Sequence, residues 1–305
     1  MKHELDFIII GAQKAATTSL YEYLRHHPDI YMPVGKEVPF FTDDRLFERG
    51  WDSYIKEFFK GASPQRLWGT ASPQYMCDPR APKRISDRLP QVKLIASLRN
   101  PVERAWSHYK MYVRMGAENK SFNQVVDYLL REDHLNSART LRSNLESGQQ
   151  CYIVWSEYGR IIEQYLKYFD RDNLLILFLD DLKHSHQGSL DQITEFLKLG
   201  KGFTPANLGQ VYFRGGTRAK WPWLNAIRAN VMFGDIVTRI FPHQWLRRVD
   251  WMIKTRNISV QSQDEWTDMD KPTLEKLRQF FHDDIKRLES ITGVKTPWHD
   301  VRDSE

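Results

Sequence analysis

The chain opens on four consecutive apolar residues, Phe7 to Ile10, which stop at Gly11 and give way beyond Ala16 to a helical pattern with Leu20 and Leu24 on one face. An unbroken, largely β-branched run suits a strand covered on both faces, the habit of a parallel sheet. Strand, loop and helix in that order open a βαβ unit and restrict the chain to an α/β architecture.

The alternation continues downstream. Lys93 to Leu98 reads as a second strand. After Arg99 come Asn100, Pro101 and Glu103, placed as N-cap, first helical residue and capping-box partner of a helix reaching about Arg114. A third strand, Leu174 to Leu179, follows an aromatic-rich helix from about Ser156 to Tyr168 and precedes a helix near Leu190 to Leu197. The last helix carries Leu274, Leu277, Phe281, Ile285 and Leu288 on one stripe, with Asp270 and Pro272 at its start. The expected fold is a three-layer α/β domain over residues 1–305, a central parallel sheet flanked by helices, with its ligand at the carboxyl ends of the strands.

A net charge of +5 over 305 residues favours an anionic partner, but nucleic acid, anionic lipid, polyanionic glycan and a nucleotide all meet that condition. The two cysteines, Cys77 and Cys151, form no CxxC pair and no histidine cluster accompanies them, so buried free thiols are expected rather than a zinc site or a disulfide framework. Glu4 and Asp6 stand where a signal peptide needs a basic and then apolar run, and no other window approaches the length of a membrane span. The expectation is a cytoplasmic protein.

In GAQKAATTSLYEYL, Gly11 to Leu24, the turn from strand to helix presents successive backbone N–H groups and the hydroxyls of Thr17, Thr18 and Ser19 at a helix N-terminus, where an anion is favoured. The same segment also reads as an ordinary βα turn with Lys14 facing solvent. It is not a Walker A loop, which needs a second glycine followed directly by Lys and Ser or Thr. A magnesium-dependent nucleoside triphosphatase is thereby disfavoured.

The loop resembles the GxxKxGTT loop of sulfotransferases that use 3′-phosphoadenosine 5′-phosphosulfate (PAPS). Four further segments fall in that family's order: HHPDIYMP at His26 to Pro33, KEVPFF at Lys36 to Phe41, SPQYM at Ser72 to Met76, and RNPVERAWSHY at Arg99 to Tyr109. The chain is similar to the bacterial branch and to the glycan sulfotransferases with a KE-x-x-FF segment. The resemblance implies a P-loop-like fold in which Gln13, Lys14, Ala15, Ala16, Thr17, Thr18 and Ser19 hold the 5′-phosphosulfate, Lys14 lying near the bridging oxygen. It implies that Arg99 and Ser107 hold the 3′-phosphate, and that Glu37 is the base, with Lys36 steadying developing charge. Plainer roles stand beside these: a surface salt bridge for Arg99, a helix-surface hydroxyl for Ser107, a solvated pair for Lys36 and Glu37. Phe40 and Phe41 are expected to anchor their loop in the core.

There are departures from the family pattern. Ala16 replaces the commoner glycine, which implies either ordinary helical angles there or a less close phosphate. Thr70 stands where many members carry a charged residue. The histidine of some glycan enzymes aligns at Met111, so His108 is expected to be structural. Between Tyr212 and Asn257, nine lysines and arginines face two aspartates, Asp235 and Asp250, interleaved with tryptophans and phenylalanines. This segment reads as a basic aromatic helical insertion, a lid, or a glycan or membrane-surface patch. Within it Arg218 and Lys220 are the candidates, by the same resemblance, for a basic loop closing over the nucleotide.

The implied reaction is metal-free in-line transfer of sulfuryl from PAPS to a hydroxyl or amine of a small metabolite or saccharide, releasing adenosine 3′,5′-bisphosphate (PAP). No nucleic-acid partner and no membrane span are expected. A P-loop kinase using ATP and magnesium, or an idle glycan-binding module of the same fold, are the alternatives.

Overall fold

The computed structural model describes residues 4–34, 36–63, 66–142, 148–210, 212, 217–219, 258–260 and 269–298. Its centre is a sheet of five parallel strands, β1 Phe7–Gly11, β2 Ile30–Tyr31, β3 Leu67–Ala71, β4 Lys93–Leu98 and β5 Leu174–Phe178, in the order β2-β3-β1-β4-β5. The helices are α1 Thr17–Leu24, α2 Asp44–Glu48, α3 Trp51–Phe58, α4 Ala81–Arg88, α5 Pro101–Arg114, α6 Phe122–Leu129, α7 Glu132–Ala138, α8 Tyr158–Leu166, α9 Leu179–His184 and α10 His186–Phe196, followed by the long helix Lys271–Thr292.

Alternation along each strand divides the core between two faces. Ile8, Ile10, Leu94, Ala96 and Ile176 pack with α3, α4 and α8, whereas Phe7, Ile9, Ile95 and Leu177 pack with α1, α9 and α10. The expected three-layer parallel architecture is what the chain adopts. Each fully buried Ile of β1 contributes about 1.5–3 kcal/mol of transfer free energy. A further, aromatic-rich core joins α5, α6, residues 151–155 and the long helix through Trp106, Tyr109, Phe122, Tyr152 and Phe281.

Several boundaries differ from expectation for local reasons. Strand β3 carries no apolar run to announce it: Gly69 lies opposite Phe7, and a Cβ there would sit 2.1 Å from the Phe7 ring. Glu103 is not a capping-box partner. Asn100 accepts from the N–H groups of Val102 and Glu103, but the Glu103 carboxylate turns to Arg99. Leu179 starts α9 rather than ending β5, and α8 is shorter than expected because Glu157, at ψ 72°, separates it from a 3-10 turn at Val154–Ser156.

Helix α8 has no capping side chain of its own. Asp284 of the long helix supplies one, accepting from the N–H groups of Gly159 and Arg160 at 2.8 Å each, and burial pushes its carboxyl up to about 6. Gly159 permits that contact, since a Cβ there would meet the Asp284 carbonyl oxygen at 2.3 Å. Of the basic aromatic segment, only Tyr212 and Thr217–Ala219, which pairs antiparallel with Ile258–Val260, are described. Lys220 and the remaining residues to Asn257 lie outside the described residues.

Candidate active site

The loop after β1 is held by its neighbours as well as by its own turn, in which Ala15 N–H donates to the Ala12 carbonyl at 3.2 Å. Ala12 N–H donates to the Ser97 carbonyl at 2.7 Å, and Ser97 Oγ donates to the Ala15 carbonyl at 2.6 Å. Gly11 is required by close approach, because a Cβ would lie 2.6 Å from Met76 Cβ. Lys14 (φ 73°) and Ala16 (φ 60°) are left-handed. Ala16 therefore performs the bend of a glycine despite its methyl group, which excludes the ordinary helical angles and leaves a glycine-like loop with a strained residue. Ala16 is also the N-cap of α1 and offers no side-chain acceptor, so among the described residues the helix-start N–H groups at Thr17, Thr18 and Ser19 have no cap from the N-cap side chain. Thr17 and Ser19 are buried and Thr18 half-buried.

Around this loop cations gather. Arg99 stands just past the end of β4, its carbonyl accepting from Tyr158 Oη at 2.9 Å. Its guanidinium forks onto Glu103 Oε2 through Nε at 2.9 Å and Nη2 at 2.8 Å. Ser107 follows one helical turn later on the face of Glu103. Arg104 is fully buried, donating to Ser156 Oγ and the Tyr152 carbonyl and lying 3.4 Å from His108 Nδ1, with no carboxylate partner among the described residues. Lys14 has no ion pair among the described residues. Burial first, then the fields of Arg114 and Arg99, lower its ammonium to about 8, with Glu37 acting in the opposite sense. Such a concentration of positive charge favours a bound anion.

Glu37 is left-handed (φ 71°) and donates its N–H to the Ala71 carbonyl at 3.0 Å. The segment after it is pinned by Phe40 and Phe41, both buried as expected, and by Tyr75 Oη donating to the Val38 carbonyl at 2.6 Å. Lys36 Nζ lies 2.9 Å from Glu37 Oε1; its side chain is 3% exposed against 37% for Glu37, so the pair is anchored rather than solvated. Glu37 opens onto a cleft of about 530 Å³ whose walls include Gln13, Gln74, Met111, Tyr112 and Trp155.

The structure thus brings Gln13 and Glu37 into one cleft and sets Lys14 within electrostatic reach of Arg99 and Glu37. His108 is structural: it is fully buried, stacked on Trp155 at 5.1 Å, and held neutral by burial and by Arg104 and Lys14. Met111, one turn on, reaches the cleft instead. Thr70 is 1% exposed within β3, out of acceptor reach. Cys151 is buried and Cys77 only partly so; burial pushes both thiols up to about 12. Arg218 is placed in the short antiparallel pair by its backbone, and Lys220 is outside the described residues. Sequence reasoning missed Arg104, Gln74, Tyr112 and Trp155. Gln74 lies inside SPQYM and Arg104 inside RNPVERAWSHY, so the motifs were the available signal.

Among the described residues no group of three His, Cys, Asp or Glu side chains is arranged to hold a metal ion, and no helix is long and apolar enough to cross a membrane. A family model described as a sulfotransferase domain matches residues 4–211. Heparan sulfate glucosamine 3-O-sulfotransferase 5 of Mus musculus is 26% identical over 295 residues, 95% of this chain and 73% of that protein. Heparan sulfate glucosamine 3-O-sulfotransferase 6 of the same organism is 29% identical over 201 residues, 65% of this chain and 53% of that protein. Among solved structures, a sulfotransferase from Alicyclobacillus acidocaldarius superposes with a TM-score of 0.65 at 22% identity, covering 96% of this chain and 97% of that one.

Proposed function

Because this chain belongs to the sulfotransferase domain family, we propose that it moves sulfuryl from PAPS to a hydroxyl or amine of a small metabolite or saccharide. The observation that carries the donor is the buried ammonium of Lys14 set among Arg99, Arg104 and Arg114 beside a helix start with no side-chain cap. A polyphosphorylated nucleotide is the ligand whose charge and acceptor oxygens such a site lacks.

In this reading Thr17, Thr18 and Ser19 hold the 5′-phosphosulfate through N–H and hydroxyl groups, with Gln13, Ala15 and Ala16 shaping the loop. Arg99 and Ser107 hold the 3′-phosphate, the guanidinium turning from Glu103 to do so. Glu37 takes the proton of the attacking hydroxyl as its oxygen bonds to sulfur, and Lys14 stabilises the charge that forms on the bridging oxygen as that bond breaks. Lys36 fixes the Glu37 carboxylate toward the cleft. Arg218 and Lys220 close over the nucleotide. A cytoplasmic location belongs to the same proposal and is checked by cell fractionation.

Calorimetric titration with PAP, 5′-AMP and ATP with magnesium tests the donor. Selective binding of PAP, weakened at least tenfold in Arg99→Ala, is expected; preference for ATP with magnesium replaces the reading with a kinase. Glu37→Gln is expected to lower kcat by about 10²–10⁴ with PAP affinity unchanged, the scale of a lost general base. A variant with full turnover removes Glu37 as base.

A further inference from the structure

The cleft beside Glu37 has cations on its wall, but the protein has already engaged them. Arg80 lays Nε and Nη2 on the carboxylate of buried Asp78 at 2.9 and 2.8 Å and gives Nη1 to Asp44 at 2.6 Å. Arg84 and Arg142 reach the same Asp44 carboxylate at 2.8 Å each. Lys36 is spent on Glu37 at 2.9 Å. Of these groups, those that line the cleft are Arg80 and Arg142 against Glu37, Asp43 and Asp44, so the wall carries no net positive charge among the described residues. Neither Lys14 nor Arg99 lines it.

What the wall presents in surplus is hydrogen-bond acceptors. Asp43 lines the cleft while holding the N–H of Leu46 at 3.0 Å, and Gln13 Oε1 is buried there with no hydrogen-bond partner among the described residues. A buried carbonyl oxygen without a partner favours a ligand that brings a donor to it. Met111, Tyr112 and Trp155 line the same cleft and give it an apolar and aromatic surface on which a ring can rest.

We propose that the acceptor is a neutral, hydroxyl-rich ring compound, a glycoside that carries neither carboxylate nor sulfate. Its hydroxyls donate to Gln13 and Asp43, its ring face lies on Tyr112 and Trp155, and one hydroxyl comes to Glu37. Asp44 engages the arginines that would otherwise hold an acidic sugar, and the Asp43 carboxylate repels one, so selectivity comes from an added repulsion as well as from attraction. The proposal rests on the sulfotransferase reading, and departs from the sulfated glycan in the names of the relatives.

The test uses the full chain saturated with PAP and methyl glycosides of neutral hexoses, each paired with the uronic acid that differs only by a carboxylate in place of the hydroxymethyl group. Binding is followed by ligand-observed NMR and turnover by PAP release from PAPS. Neutral glycosides are expected to bind and turn over at least roughly tenfold better than their acidic partners. Asp44→Asn, which removes the charge that Arg80, Arg84 and Arg142 share, is expected to raise use of the uronic acids at least fivefold. If that variant melts early, Asp43→Asn, whose amide oxygen still caps α2, is expected to weaken neutral glycosides while raising acidic ones. Equal or better use of uronic acids by the wild type overturns the proposal, as does failure of every neutral glycoside to bind. Failure of PAP itself to bind is a separate result and strikes the sulfotransferase reading instead.

Discussion

Replacing Lys14 by methionine is expected to make the nucleotide-free protein more stable while abolishing its activity. Folding holds the Lys14 ammonium at about 8 against an ordinary 10.5, because burial and the fields of Arg114 and Arg99 disfavour its charge. At about 1.4 kcal/mol per pH unit, that difference is a cost of about 3 kcal/mol at neutral pH. It is an upper bound, since the residue is half-buried and water screens part of the field. The sign follows from proton counting. Below pH 8 both states carry the proton and the cost is constant; between 8 and 10.5 the unfolded chain binds the proton and the folded one does not, so wild-type stability rises with pH. Urea denaturation of wild type and Lys14→Met should therefore differ by up to about 3 kcal/mol at pH 7, roughly 5 °C in Tm, and converge near pH 10.5. Saturating PAP should reverse the order, because the bound anion supplies the missing counter-charge to the wild type only. A Lys14→Met protein no more stable than wild type at pH 7 without nucleotide would refute the account of the loop as a cationic hole.

Two further outcomes follow from the same geometry. Gly11→Ala places a methyl 2.6 Å from Met76 Cβ, whose backbone N–H is tied to the Ile10 carbonyl, and is expected to cost about 1–3 kcal/mol by denaturation together with weaker PAP binding; unchanged stability would show that the β1 loop yields. His108 stays neutral in the fold well below its ordinary 6.5, so the unfolded chain takes up the proton first as pH falls. Wild type should lose up to about 2 kcal/mol more than His108→Gln between pH 7 and pH 5; parallel pH profiles would rule out His108 as the group responsible.

The parts of the fold legible in the sequence are those whose burial is total. Phe7 to Ile10 and Leu94 to Ala96 face helices on both sides, so their apolar runs are continuous, and Asn100 with Pro101 marked the start of α5 to the residue. Strand β3 was hidden because Gly69 gives way to the Phe7 ring and Thr70 holds a buried place that an apolar residue more often fills. Glu103 sat at the capping-box position, yet the guanidinium of Arg99, one turn back, outcompeted a backbone N–H for it. Lys14, Glu37, Arg99 and Ser107 were marked by motif. The cleft onto which Glu37 opens was not, because its walls come from segments as far apart as Gln13, Gln74, Met111 and Trp155, which only the tertiary fold assembles. The left-handed turn at Ala16 was beyond any propensity argument, since alanine rarely adopts it.

The capping of α8 by Asp284 bears on how the molecule is made. The segment that carries the family pattern ends at residue 211, yet α8, whose Tyr158 steadies the Arg99 carbonyl, takes its first-turn acceptor from residue 284. During synthesis α8 therefore lacks this cap until the long helix has emerged and docked. A chain cut after residue 211 has the matched segment in full but leaves α8 uncapped.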